Sequence, residues 1–120
     1  MTLLSVLAAS VLLAVLGPAA EAQAASSCAG RNVRTFTFST GSVKVYKAGN
    51  YLCALTVPRK RGGRRPMMIS LQVRGFEPVV DKGRFARHAG PVRAYVGHRT
   101  VRIKGSVGRG SYDSHGWRRF

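Results

Sequence analysis

The sequence predicts an all-β fold: a single small antiparallel β-sandwich or barrel-like domain that follows an N-terminal signal peptide. Two observations lead to this fold class. Short segments in which apolar and polar residues alternate recur along the chain, and Gly, Pro and Asn turns separate them at regular spacing. Beyond residue 24, no stretch of ten or more residues repeats its apolar positions with the period of a helix.

The first 24 residues have the layout of a signal peptide. Residues 3–16 are Leu, Val and Ala interrupted only by serines, and Ala22-Gln23-Ala24 is the small-x-small pattern that signal peptidase accepts. The apolar run is also shorter than the roughly 20 residues that a membrane-spanning helix needs. We therefore expect a signal peptide at 1–24, a secreted basic β domain at 25–120, and no integral membrane span in the mature chain.

The predicted mature chain is strongly basic. All 20 Lys and Arg residues lie in it, together with three of the four acidic residues, which gives a formal net charge of +17. A chain of this length forms one domain with one core. Such a charge predicts attraction to polyanions, namely nucleic acid, anionic envelope polymers or an anionic membrane.

The first predicted hairpin joins residues 33–38 to a strand that contains Val43 and Val45. Phe36 and Phe38 lie on one face of the first strand, and Lys44 interrupts the two valines of the second. Between them, Ser39-Thr40-Gly41-Ser42 favours a turn.

Residues 51–74 have the pattern of strand, basic loop and strand. Residues 51–57 are apolar on both faces, as in a central strand, whereas residues 67–73 alternate with one polar face. We expect a long hairpin with a cationic tip at 58–66, where two prolines end the strands and two glycines allow a turn. The predicted polyanion-binding residues are those of this tip: Arg59, Lys60, Arg61, Arg64 and Arg65. The alternative is a solvated turn that keeps the sheet soluble and blocks edge pairing.

The remaining segments predict short strands and turns. Because of Pro78, we expect residues 76–81 to be an edge piece. We expect the strands to be interrupted at Asp81-Lys82-Gly83 and at Gly90-Pro91. Residues 92–96 and 101–104 alternate again. The segment 105–110 is too rich in glycine for a regular inner strand.

The C-terminal segment is expected to pack through two aromatic residues and then to fray. Tyr112 and Trp117 are its large side chains, and Arg118-Arg119-Phe120 follow them.

The two cysteines are expected to form a disulfide, Cys28 to Cys53, because they belong to an exported chain. A pair of free thiols and an intermolecular bridge are the alternatives. Two cysteines without a nearby His do not make a zinc site.

Few residues are suited to acid–base chemistry. His88 with Glu77 is the pair that a nuclease would need, and Asp113-Ser114-His115 places a carboxylate and an imidazole on the same side of an extended strand. No G-x-S-x-G motif marks a nucleophile, and no His spacing is diagnostic of a metal. We therefore predict no enzyme activity, no metal and no cofactor.

Three blocks of sequence resemble a known family. The run 81–92, DKGRFARHAGPV, resembles a D-x-G-x-[FY]-x-x-x-A-G-P-V stretch, and residues 51–57, YLCALTV, resemble a Y-x-C-x-x-T-V strand. Gly105-Ser106-Val107-Gly108 with Ser111-Tyr112 resembles a glycine- and serine-rich final segment. Together they resemble the spore-associated protein A-like family of small secreted actinomycete proteins. The resemblance implies an exported β protein located at the cell or spore surface, without a known reaction.

These observations predict a non-enzymatic secreted protein that adheres electrostatically to an anionic cell-wall or spore-surface polymer. A secreted antimicrobial protein and a nucleic-acid-binding protein, including a nuclease, are the alternatives. Membrane disruption normally requires an amphipathic cationic helix, which the mature chain does not contain.

Overall fold

A computed structural model of the protein describes residues 28–120, so the predicted signal peptide at 1–24 lies outside the described residues. The described part contains no helix. Its eight strands are β1 (Arg31–Phe38), β2 (Gly41–Ala48), β3 (Tyr51–Pro58), β4 (Arg65–Val73), β5 (Val79–Phe85), β6 (Ala89–Tyr95), β7 (Val101–Val107) and β8 (Gly110–Asp113).

The strands form two four-stranded antiparallel sheets that pack face to face. The first sheet has the order β1-β2-β3-β6, and the second has the order β5-β4-β7-β8. The all-β prediction, with the sandwich as its architecture, is confirmed. The predicted hairpin of the first two strands is confirmed as well, since β1 pairs with β2. The chain passes from one sheet to the other between β3 and β4, between β5 and β6, and between β6 and β7.

The predicted long hairpin of residues 51–74 is wrong. β3 pairs with β2 and β6, whereas β4 pairs with β5 and β7. The two strands lie in opposite sheets, and the basic loop connects the sheets at one end of the sandwich. A hairpin and a connection between two sheets share the same sequence pattern of strand, turn and strand. Which strands pair depends on segments far along the chain, so this pattern does not distinguish the two arrangements.

The core lies between the two sheets and follows the period-two alternation of their strands. The first sheet contributes Val43 and Val45 from β2 and Leu52 and Ala54 from β3. From the second sheet come the apolar positions of β4 and β7, namely Met67, Ile69, Leu71, Val73, Val101, Ile103 and Val107. The predicted central strand at 51–57 is confirmed, since residues 52–56 of β3 are buried on both faces.

One buried hydroxyl group links the two sheets through a hydrogen bond across the core. The side chain of Thr56 is fully buried, and its Oγ1 donates a hydrogen bond to the Met68 carbonyl at 2.9 Å. Because Thr56 belongs to β3 and Met68 to β4, this bond joins the two sheets and satisfies a polar group that would otherwise be costly to bury.

The expectation that residues 105–110 are too rich in glycine for an inner strand is wrong. Gly105 lies in β7, which pairs with both β4 and β8. A Cβ at this position would collide with the side chains of Val43 and Thr56 in the opposite sheet. Glycine is present here because the two sheets approach closely, not because the strand ends.

The predicted turn at residues 81–83 is wrong, and the predicted break at Gly90-Pro91 is only an irregularity in strand pairing. Asp81, Lys82 and Gly83 lie inside β5, where they pair with Ile69, Met68 and Met67 of β4. Gly90-Pro91 lies inside β6. At residues 81–83 the tertiary context overrides the local turn preference, because β4 supplies pairing partners along this segment. At Gly90-Pro91 the pairing with β3 shifts register, and the Gly90 N–H donates to the Asp81 carboxylate. The predicted edge position near Pro78 is confirmed, since β5 is the first strand of its sheet.

The C-terminal residues do not fray. Arg118 forms a β-bridge with Val101, and the Lys47 Nζ donates a hydrogen bond to the Phe120 carbonyl at 2.9 Å. The Phe120 ring packs edge-on against Phe36, whose face stacks on Tyr112 at a centroid distance of 4.4 Å. The predicted packing of Tyr112 is confirmed, and Phe120 extends this aromatic cluster. The predicted packing of Trp117 is wrong, because its side chain is exposed.

The predicted disulfide is confirmed. Cys28 and Cys53 are bonded, with their Cα atoms 5.6 Å apart. The bond attaches the segment that precedes β1 to the outer face of β3.

Candidate functional site: the basic end of the sandwich

Four loops lie together at one end of the sandwich: residues 39–40, 59–64, 86–88 and 108–109. They are neighbours because antiparallel pairing alternates the strand directions, so that every second connection is at the same end. We call this region the basic end. The remaining connections, at 49–50, 74–78 and 96–100, and the C-terminal segment lie at the opposite end.

The basic end collects eight cationic side chains. They come from three of its loops and from the strand positions beside them: Arg59, Lys60, Arg61, Arg64, Arg65, Arg84, Arg87 and Arg109. None of the three acidic residues in the described part of the chain lies in these loops: Glu77 is at the opposite end, and Asp81 and Asp113 are in strands. The charges therefore add to one another without local neutralisation.

The basic loop at 59–64 separates two surface grooves. The first groove, of about 420 Å³, lies between this loop and the loops at 39–40 and 108–109, and its cations are Arg59, Lys60, Arg65 and Arg109. The second groove, of about 740 Å³, lies between the basic loop and the loop at 86–88. Cations line both grooves, so an anionic chain can lie on either side of the loop.

Backbone hydrogen bonds fix the loops of the basic end relative to each other. The Arg59 N–H donates to the Thr40 carbonyl, and the Gly108 N–H donates to the Pro66 carbonyl, both at 2.8 Å. The Arg84 Nη2 donates to the Arg64 carbonyl at 3.3 Å. These contacts join loops of both sheets, so the cations have a defined arrangement and do not depend on a freely moving hairpin tip.

Arg65 has a different role from the other predicted site residues. Its Nη1 donates to the Lys60 carbonyl at 2.9 Å, and its Nε donates to the Gly63 carbonyl at 3.1 Å. The side chain is half-buried beneath Gly62, where a Cβ would lie only 2.8 Å from Nη2. The guanidinium thus closes the basic loop from inside, whereas Arg59, Lys60, Arg61 and Arg64 are exposed.

All five predicted site residues are thus at the basic end, but three further cations were not predicted to join them. Arg84 is the second-to-last residue of β5, Arg87 lies in the next loop, and Arg109 lies in the turn between β7 and β8. Each of these three arginines lies in or beside a turn, and the sequence pattern can locate such turns. Only the order of strands in the two sheets shows that these turns share one end of the molecule.

The residues considered for acid–base chemistry do not form a site. Glu77 lies at the end opposite to His88, with the length of β5 between them. The His88 Nδ1 is 2.9 Å from the Gly90 carbonyl, which is its hydrogen-bonding partner. The pair that a nuclease would need is therefore not assembled.

The Asp113-Ser114-His115 segment forms a local turn. The Asp113 carboxylate accepts a hydrogen bond from the backbone N–H of His115 at 2.7 Å and pairs with Arg102 at 3.2 Å. Burial alone would raise the pKa of this carboxyl, but the His115 N–H and the Arg102 guanidinium together hold the pKa of Asp113 below its ordinary value. The Ser114 hydroxyl donates to the Gly116 carbonyl and accepts from the Ile103 N–H. Both side chains thus serve the structure of the turn.

Within residues 28–120, no group of three or more His, Cys, Asp and Glu side chains is arranged to hold a metal ion. The same residues contain no helix long and apolar enough to cross a membrane.

Comparison with protein-family models, with curated proteins and with solved structures found no match.

Proposed function

We propose that the protein is exported and that its basic end binds an anionic polymer of the cell envelope or spore surface, without catalysing a reaction. The observation that carries this proposal is the collection of eight cations at the basic end, whose loops contain no acidic residue and whose two grooves are lined by six of these cations. The confirmed disulfide agrees with an extracellular location, since such bonds persist in oxidising compartments. The resemblance to the spore-associated protein A-like family supports the same location.

The chemistry of the basic end suits phosphate or carboxylate groups. Arginine presents a planar fork that binds such groups through two parallel hydrogen bonds, and seven of the eight cations are arginines. Gly62 and Gly63 place no side chain between the loop backbone and a ligand, and a Cβ at Gly63 would meet only open space. A polymer can therefore approach both the backbone and the exposed arginines.

The competing explanation is diffuse attraction by the remaining 12 cations. Four of these lie over aromatic rings: Arg34 and Arg118 over Phe36, Arg74 over Trp117, and Arg99 over Phe76. None of the four cation–π contacts in the described residues involves a cation of the basic end. Removing matched numbers of charges at the basic end and elsewhere distinguishes the two explanations.

The first prediction tests this local site by removing four exposed loop charges together. In the variant Arg59→Ser, Lys60→Ser, Arg61→Ser and Arg64→Ser, affinity for teichoic acid should fall strongly. With duplex DNA as a second polyanion, the slope of log affinity against log salt concentration should become shallower by about 3.6, because each lost phosphate contact removes about 0.9 from it. Binding is measured for both polymers across a salt series.

A charge-matched control separates the local site from diffuse attraction. Arg31→Ser, Lys82→Ser, Arg93→Ser and Arg119→Ser removes the same net charge at exposed positions outside the basic end. We expect this variant to keep most of the affinity and slope. Equal losses in the two variants would contradict a local site, and preferential binding of DNA over teichoic acid would favour the nucleic-acid alternative.

A further inference from the structure

The end of the sandwich opposite to the basic end exposes apolar side chains. Every large hydrophobic residue that the described part of the chain exposes lies at or beside this end: Tyr51, Phe76, Val79, Val80, Tyr95 and Trp117. Tyr51, Phe76 and Tyr95 are each more than half exposed, at 55%, 57% and 54%. We call this region the aromatic end. Single exposed hydrophobic residues are common on protein surfaces, but a cluster of them marks an interaction surface.

Four of the apolar residues of the aromatic end form a contiguous surface. Tyr51 of β3 and Tyr95 of β6 are register partners, and their rings meet edge to face at a centroid distance of 5.3 Å. A groove of about 560 Å³ continues from Tyr95 to Phe76 and Val79 across the gap between the two sheets. The surface therefore spans both sheets.

Arginines accompany these aromatic rings. The Arg99 guanidinium lies 5.2 Å above the ring of Phe76, and the Arg74 guanidinium lies 5.8 Å above that of Trp117. Arg93 lines the groove beside Tyr95, and Glu77 is the acidic residue at this end. Each pair thus combines an apolar ring with a cationic group that remains available to an anion.

We propose that the aromatic end docks on an anionic lipid membrane surface. Tyr and Trp side chains favour the boundary between hydrocarbon and water, because the ring is apolar and its polar atom stays hydrated. The exposed valines add aliphatic surface suited to acyl chains. Arginines near an anionic bilayer are attracted to it, and Arg74, Arg93 and Arg99 are placed to contact lipid phosphates while the rings enter the interface.

The charge distribution disfavours a second copy as the occupant of this surface. Pairing two aromatic ends would bring the arginines of both copies together, and pairing an aromatic end with a basic end would bring still more cations into contact. Like charges in contact are costly, so the partner must carry negative charge. A lipid surface supplies this charge together with an apolar layer for the rings.

The experiment uses Trp117, since it is the only tryptophan of the chain. The protein is titrated with vesicles of equal parts phosphatidylglycerol and phosphatidylcholine, and with phosphatidylcholine alone. We expect binding to the anionic vesicles, with quenching of Trp117 fluorescence by lipids brominated on their acyl chains. The double variant Phe76→Ser and Tyr95→Ser should lose at least tenfold in vesicle affinity, and the loop variant Phe76→Ser alone should lose less.

Two further comparisons make the outcome decisive. The aromatic double variant should bind soluble teichoic acid like the wild type, whereas the four-residue variant of the basic loop should keep the bromolipid quenching. Circular dichroism checks that each variant is folded. Vesicle binding without quenching, quenching that survives in the double variant, or no binding to anionic vesicles would each overturn the proposal. A dimer that the double variant abolishes, in the absence of vesicle binding, would assign the surface to a second copy instead.

Discussion

Arg64 and Arg65 are adjacent cations, but their side chains have different roles at the basic end. The Arg65 guanidinium binds two carbonyls of its own loop, whereas Arg64 is exposed. The sequence places both in the same run, and nothing in the spacing of the run distinguishes them. The difference arises from the direction in which β4 begins, because this direction turns Arg65 under Gly62.

The second prediction concerns the closure of the loop by Arg65. Arg65→Lys keeps the charge but replaces a planar fork with a single ammonium, which cannot reach both carbonyls in the same geometry. We expect a loss of about 1 kcal/mol in unfolding free energy from the broken hydrogen bonds, and weaker polymer binding. Hydrogen exchange should become faster at residues 59–64.

Arg64→Lys is the matched control, since it makes the same chemical change at the adjacent exposed position. It should leave hydrogen exchange in the loop unchanged. If both variants behave alike, Arg65 does not organise the loop.

The third prediction concerns the glycine where the sheets approach most closely. Gly105→Ala would place a methyl group against Val43 and Thr56, and overpacking of this kind typically costs about 1–3 kcal/mol. Urea unfolding of the variant measures the change. Gly63→Ala, where a Cβ meets open space, should change the unfolding free energy by no more than about 0.5 kcal/mol. Equal stability of the Gly105 variant and the wild type would show that the core relaxes around the methyl group.

At the scale of the strands, period-two alternation predicted most elements of the fold. The strands around Val43, Ile69 and Ile103 were predicted because their apolar positions recur every second residue, and the strand around Leu52 because it is apolar on both faces. One error occurs where a strand contains residues typical of turns, as at Asp81 in β5. Local composition cannot show that a neighbouring strand will extend the ladder through such residues. It also cannot show that β3 and β4 separate into different sheets.

The fourth prediction concerns the disulfide, which joins the segment before β1 to a buried strand. The loop it closes has a sequence separation of 25 residues. In the chain-entropy description, a loop of this length contributes about 3.5 kcal/mol to the unfolding free energy. Urea unfolding with and without a reductant measures this contribution.

The double variant Cys28→Ser and Cys53→Ser is the control for the disulfide. Its stability should be insensitive to the reductant and close to that of the reduced wild type. Free thiols in the folded protein recovered from the medium would contradict the exported, disulfide-bonded form.

At the scale of the whole molecule, the sandwich has two chemically different ends. The composition predicted a strong attraction to polyanions but not how the charge is distributed. Arg84, Arg87 and Arg109 join the basic loop because antiparallel strands return to the same end, and Tyr51, Phe76 and Tyr95 meet at the other end for the same reason. Residues far apart along the chain become neighbours only through the order of strands, so neither surface can be derived from local sequence alone.

Two of the three passages between the sheets, at residues 59–64 and 86–88, belong to the basic end. When the sheets associate during folding, these two segments must bring their arginines together, so electrostatic repulsion opposes the step that closes the core. Contacts between strands that are distant in sequence form slowly, because the entropy cost of closing a long loop comes before the contacts stabilise the chain. Counterions or a bound polyanion would lower this additional barrier. If the proposed polymer binding is correct, the chain would therefore fold faster in the presence of that polymer than in its absence.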